Sequence, residues 1–313
     1  MNSTRRQWII HGSTLALGSS MSFSYQANPV SRLKDGPETK RFKNAQSRAL
    51  AKYEVEAQSR FLHLRRPALK AHVLVAGRGD PVILIHGGGA FAAQFAPLMN
   101  GLAGTVQCFA PDRPGCGLTD RFDYTNIPFR RHAIDFIASL LDALHLSKAA
   151  IAGNSMGGYW ALLFALAFPE RVTKLALLGG PAGSGPTPKR TPNPVLMAHP
   201  DRVSAEILDA ASAASAIPGA SQALNSMLQD VVREAGNGNC CTYALRRELK
   251  SLKTPTLFIY GDKDMEGPPS LVHEMAELAP NARCEIVADA GHLVWLDQPS
   301  VCTKLLLDFL KSA

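Results

Sequence analysis

The sequence predicts an α/β fold in which a mostly parallel central sheet of about eight strands is flanked by helices. Three observations carry that expectation. Short, continuously apolar runs such as Pro81–Ile85 and Thr256–Tyr260 are too brief for helices and read as strands buried on both faces. Longer stretches with apolar residues at a 3.6-residue period, such as Phe129–Leu146, lie between them. Ser155, Asp264 and His292 each follow the carboxyl end of such a run.

In chain order, residues 1–30 read as a leader. Thr4-Arg5-Arg6-Gln7-Trp8-Ile9-Ile10, followed by the mildly apolar Leu15-Ala16-Leu17-Gly18, resembles a twin-arginine export signal. His11, Gly12 and Ser13 interrupt its apolar part, and Tyr25 spoils the small-x-small site ending at Ala27. Export by that route is the expectation and a cytoplasmic location the alternative. Residues 31–59 read as an N-terminal helical extension, the start of a basic stretch from Lys34 to Lys70, with Ala45, Leu50, Tyr53 and Ala57 as its apolar stripe.

Strands near Arg60–Leu64 and Ala71–Val75 open the sheet. Pro81–Ile85, Val106–Ala110, Ala149–Ala152, Val172–Leu178, Thr256–Tyr260 and Cys284–Val287 continue it. Helices are expected at Phe129–Leu146, Met156–Phe168, Pro269–Leu278 and Ser300–Leu310. The core is thus assigned to 60–183 and 254–313. The interval 184–253 is too long for a simple crossover; after two Pro-rich turns it shows helical patterns at Arg202–Ala214, Gln222–Glu234 and Thr242–Leu249.

The pentapeptide Gly153-Asn154-Ser155-Met156-Gly157 joins an apolar strand to a helix. A G-x-S-x-G in that setting is a nucleophile elbow, whose tight turn holds the serine in a strained conformation with its hydroxyl exposed. The pattern also recurs by chance, so its context carries the assignment. Upstream, a strand ends in His86-Gly87-Gly88-Gly89, where glycines let backbone N–H groups face a cavity. The oxyanion donors are then the N–H groups of Gly88 and Met156. Downstream, Gly261-Asp262-Lys263-Asp264 and Ala288-Asp289-Ala290-Gly291-His292 follow two further strands. His86 reads as structural, because that loop needs its shape and its amides.

Together these motifs resemble the α/β-hydrolases, in the group that contains C–C bond hydrolases, epoxide hydrolases, haloalkane dehalogenases and many esterases. The chain order Ser, acid, His agrees with that group. So does Asp112-Arg113-Pro114-Gly115-Cys116-Gly117-Leu118-Thr119-Asp120, which matches its D-x-P-G-x-G-x-S-D loop with Thr119 in place of Ser. The resemblance spans about Arg60 to the end. It implies Ser155 as nucleophile, His292 as base and Asp264, three residues after its glycine, as the acid in preference to Asp262. It further implies that 184–253 forms a helical cap over the site.

Neither a metal nor a cofactor is expected, since the histidines form no ligand-spaced cluster and no H-E-x-x-H occurs. The chain of 313 residues is 46% hydrophobic and has no apolar run near the roughly 20 residues that cross a bilayer. Its net charge of +7 is uneven: residues 1–70 carry about +9 and the remainder about −2. A solvated helix face therefore explains the charge better than nucleic-acid binding. Six cysteines, two of them the adjacent Cys240 and Cys241, outline no disulfide framework. The substrate expected is a small apolar ester or related acyl compound, and the oligomeric state is open.

Three functions fit. The first is hydrolysis of a carboxylic ester or lactone through an acyl-enzyme. The second is C–C bond hydrolysis of a vinylogous diketone, suggested by H-G-G-G with G-N-S-M-G-G, although Ala90 and Leu293 stand where those enzymes usually carry Pro and Trp. The third is a slow-turnover ligand receptor on the same fold. Epoxide hydrolysis and dehalogenation fall away because their nucleophile is an aspartate.

Overall fold

The computed structural model describes residues 30–180, 196–236, 246–265 and 267–312. The twin-arginine-like leader, the two Pro-rich turns after Gly183, residues 242–245 and the Cys240-Cys241 pair lie outside the described residues.

Eight strands are described: β1 (Ala57–Arg65), β2 (Ala68–Gly77), β3 (Pro81–Ile85), β4 (Gln107–Pro111), β5 (Ala149–Asn154), β6 (Val172–Leu178), β7 (Thr256–Gly261) and β8 (Ala282–Val287). They form one sheet in the order β1-β2-β4-β3-β5-β6-β7-β8. Only β1 with β2 and β2 with β4 pair antiparallel. The remaining pairs are parallel, as crossover helices between successive strands require. The expected mostly parallel sheet is therefore present, and the continuous apolar runs that predicted it have a simple cause: both layers of the sheet are covered. Every second residue of a strand faces the same layer.

Helices α1 (Pro37–Lys52), α2 (Ala96–Leu102), α3 (Phe129–Ala143) and α4 (Met156–Ala167) precede the long insertion. It contributes α5 (Ala205–Ser215), α6 (Ala220–Gly236) and α7 (Arg246–Leu249), and α8 (Pro269–Leu278), α9 (Val294–Asp297) and α10 (Pro299–Lys311) close the chain. Ile83 and Ile85 of β3 and Ile151 of β5 pack into one core with Phe136 of α3, Leu162 of α4 and Val272 of α8. Leu84 and Ala152 face the other core, shared with Phe42 of α1, Leu98 of α2 and Leu306 of α10. The sheet is thus covered on both faces.

The helical extension expected over 31–59 ends at Lys52, and Ala57 begins β1. Glu54 takes φ 52 and its N–H donates to the Ala51 carbonyl while that of Val55 donates to the Leu50 carbonyl. This is a Schellman termination with Glu in the position glycine usually fills. Of the expected stripe, Ala45 and Leu50 are buried with Phe42 and Ala49, whereas Tyr53 caps the helix. The helix lies on the insertion, where Arg41 and Arg48 both pair with Asp209 of α5.

Candidate active site

Ser155 precedes α4 with φ 50 and ψ −118, a conformation that non-glycine residues rarely hold. The flanking glycines make the turn possible. A Cβ on Gly157 would lie 2.1 Å from the Ile85 carbonyl oxygen, and one on Gly153 would lie 2.5 Å from the Gly157 carbonyl oxygen. Both obstacles are backbone, so β3, β5 and α4 approach this closely only around glycine.

Gly87 lies against the elbow: a Cβ there would sit 3.3 Å from the Ser155 Cβ. The Gly87 carbonyl oxygen opens a turn, accepting from the Ala90 N–H at 3.5 Å, and Gly89 within it has φ +66. His86 is fully buried. Its Nε2 accepts from the Arg113 backbone N–H at 3.0 Å, so its Nδ1 carries the proton and donates to the Gly87 carbonyl oxygen at 2.9 Å. Burial, aided by the Arg113 charge, pushes its pKa down to about 3. The ring is a neutral strut of the glycine loop.

The Arg113 guanidinium reaches the same oxygen, donating from Nη2 to the Gly87 carbonyl at 2.7 Å. It is fully buried, lies 4.8 Å above the Trp160 ring and directs Nη1 to the Met227 sulfur at 3.4 Å. Met227 and Leu224 of α6 roof the loop: a Cβ on Gly88 would lie 3.4 Å from the Met227 Cε and 3.7 Å from the Leu224 Cδ1.

His292 and Asp264 meet. The His292 Nδ1 lies 3.0 Å from each carboxylate oxygen of Asp264, and Asp264 Oδ2 also accepts the Gly180 N–H at 2.9 Å. Both residues are buried. Asp262 instead points to the Ala290 N–H at 3.2 Å and is exposed. The carboxylate that holds the histidine ring is thus the one three residues past Gly261.

Asn154 connects this pair to the elbow. From the position before Ser155, its Nδ2 donates to the carbonyl oxygens of Leu178 at 2.8 Å and His292 at 3.3 Å. Asp297 fixes the histidine loop from the other side. Its carboxylate is buried and accepts the N–H groups of Gly291 at 2.7 Å, Ala198 at 2.9 Å and His199 at 2.9 Å. Neither residue's task is visible in sequence, although Asn154 lies inside the G-N-S-M-G motif and Asp297 five residues past His292.

The Asp112 loop is scaffold. Asp112 is fully buried and accepts the Ala92 N–H at 2.7 Å, the Leu118 N–H at 2.9 Å and the His72 Nδ1 at 2.7 Å. Burial alone would raise its pKa, but the His72 hydrogen bond and charge together with its other donors keep it below the ordinary value. The His72 Nε2 lies 2.8 Å from the hydroxyl of the exposed Ser59. Ser59, His72 and Asp112 thus form a Ser-His-Asp chain of their own, but Ser59 sits in the regular strand β1, without an elbow.

Among the described residues there is no group of three or more His, Cys, Asp or Glu able to hold a metal, and no helix is long and apolar enough to cross a membrane.

Residues 82–304 match the alpha/beta hydrolase family. The chain is 26% identical over 299 residues to carboxylesterase YbfK of Bacillus subtilis, covering 86% of this chain and 93% of that one. It is 30% identical over 259 residues to a 2-hydroxymuconate semialdehyde hydrolase of Pseudomonas putida, covering 76% and 89% respectively. Its fold resembles that of naproxen esterase (carboxylesterase NP) from Bacillus subtilis with a TM-score of 0.71, at 18% identity, over 89% of this chain and all of the other.

Proposed function

The chain belongs to the alpha/beta hydrolase family, and on that premise we propose that it cleaves a carboxylic ester or lactone through an acyl-enzyme on Ser155. The observation that carries this reading is the Asn154 bridge. It joins the residue before a strained serine to the backbone of a histidine whose Nδ1 is held by a buried carboxylate.

With Nδ1 engaged by Asp264, the His292 Nε2 is the atom that takes the Ser155 proton as the hydroxyl attacks the substrate carbonyl. Asp264 then stabilises the imidazolium. The Gly88 and Met156 N–H groups receive the tetrahedral oxyanion; losing one such donor in other enzymes costs about 3 kcal/mol of barrier. Collapse expels the alcohol with the proton from His292, and water repeats the sequence to release the acid. Leu224 and Met227 above Gly88 favour an apolar acyl or alcohol group there.

C–C bond hydrolysis is the competing reading, favoured by the likeness to the 2-hydroxymuconate semialdehyde hydrolase. A substrate panel separates the two. p-Nitrophenyl esters of increasing chain length, tested beside a dienol diketone, should be turned over while the diketone is not. Preference for the diketone would replace the ester reading, and turnover of neither would favour a receptor. Export through the leader remains part of the proposal and is tested by fractionating the source cells.

A further inference from the structure

We propose that Arg113 is a positioning residue of the oxyanion hole, holding and polarising the Gly87–Gly88 peptide so that the Gly88 N–H becomes a stronger donor. The inference rests on the reading of Gly88 as an oxyanion donor.

The carbonyl of Gly87 and the N–H of Gly88 belong to one planar, resonance-coupled peptide unit. Arg113 Nη2 donates to that carbonyl at 2.7 Å while His86 Nδ1 donates to it at 2.9 Å. Hydrogen bonds to the oxygen draw electron density away from the nitrogen, and hydrogen bonds in series strengthen one another, most of all in a dry interior. A charged donor does this more strongly than a neutral one. The peptide is thereby polarised before any substrate arrives.

Satisfying the carbonyl does not require a cation. His86 already supplies a neutral donor, and a fully buried guanidinium is a costly addition unless its charge is used. Among the described residues Arg113 has no ion pair, and its Nε has no hydrogen-bond acceptor. The neighbouring carboxylate of Asp112 is committed to His72, Ala92 and Leu118. The guanidinium is held by the Gly87 carbonyl, the Trp160 face and the Met227 sulfur, none of which bears a formal charge, so among the described residues no anion is paired with it. An anion appearing on the far side of the Gly87–Gly88 peptide during catalysis would compensate that charge. The ground-state ester carbonyl is neutral and would gain much less, so the effect belongs in kcat and not in KM.

The test uses the full chain, p-nitrophenyl acetate and an alkyl trifluoromethyl ketone. Ser155 Oγ adds to the ketone carbon, its proton passes to His292, and the ketone oxygen becomes a stable oxyanion in the proposed hole. Arg113→Met should lower kcat by about tenfold, a fraction of the 10²–10³ lost when a donor is deleted outright. KM should stay within about twofold, and the ketone should bind weaker by the same factor as kcat falls. Arg113→Lys should recover most of both losses. If the Met variant does not fold, Arg113→Gln replaces it as a neutral donor, and Lys should exceed Gln by about fivefold in kcat and in ketone affinity. A raised KM with unchanged kcat, a lower kcat with unchanged ketone affinity, or Lys no better than the neutral variant would overturn the inference. Failure of the wild-type protein to form the adduct at Ser155 would instead overturn the serine-hydrolase reading itself.

Discussion

The Nδ1 of His292 lies 3.0 Å from both carboxylate oxygens of Asp264, while Asp262, two residues earlier, turns to the Ala290 amide. Asp264→Asn would present a donor to that nitrogen and favour the wrong imidazole tautomer. Turnover should fall by about 10⁴, as it does when a triad protease loses this charge. Asp262→Asn should cost far less. Steady-state rates on one p-nitrophenyl ester decide it, and a larger loss at Asp262 would move the acid out of the arrangement described.

Asp297 supports the histidine loop without touching the ring. Its buried carboxylate accepts three backbone N–H groups, one beside His292 and two from the segment that crosses the loop. Asp297→Ala leaves those donors without their acceptor, at about 1–3 kcal/mol each where water does not reach them. We expect a loss of about 3 kcal/mol in urea unfolding, with a lower kcat in the fraction that remains folded. Unchanged stability would mean that the loop holds its shape unaided.

Acid should unfold this protein through two histidines. His86 and His132 are both buried, and desolvation, with the Arg113 charge adding to it, takes each from 6.5 down to about 3. Above pH 6.5 both are neutral whether the chain is folded or not. Below it the unfolded chain takes up protons that the folded one refuses until about pH 3, so stability is lost as pH falls through that window. Each histidine adds a slope approaching 1.4 kcal/mol per pH unit. His132 packs against Phe122, Tyr124 and Trp160, and His132→Phe should remove one of the two slopes. Urea midpoints at pH 6.0 and 4.5 measure this, and equal slopes in the two proteins would contradict it.

The strands were legible because residues 81–85, 149–152, 175–178 and 257–260 are apolar without a break, which only a sheet covered on both faces requires. Ser155, Asp264 and His292 were legible as candidates because each sits at a short offset from a glycine, Gly153, Gly261 or Gly291, in or after a strand. The end of α1 was not, since Glu54 occupies the left-handed position where glycine would have signalled a stop. Asn154, Asp297 and Arg113 were hidden for a different reason. Their work is done by side chains on distant backbone atoms, as with Asn154 and His292, 138 residues apart, and local pattern carries no trace of such pairs.

Ser59, His72 and Asp112 form a hydrogen-bonded Ser-His-Asp chain, yet the proposed nucleophile is Ser155, with His292 and Asp264. Ser59 is 2.8 Å from the His72 Nε2 but stands on a regular strand, whereas Ser155 has φ 50 at the start of α4, beside the glycine loop. Strained exposure and converging N–H groups, not the three residue types alone, make a serine nucleophilic. The most direct measurement is labelling of the intact protein with a fluorophosphonate, followed by peptide mass mapping. The adduct should sit on Ser155, disappear together with ester turnover in a folded Ser155→Ala variant, and form at the wild-type rate in Ser59→Ala. An adduct that persists in Ser155→Ala, on Ser59 or any other serine, would contradict the assignment.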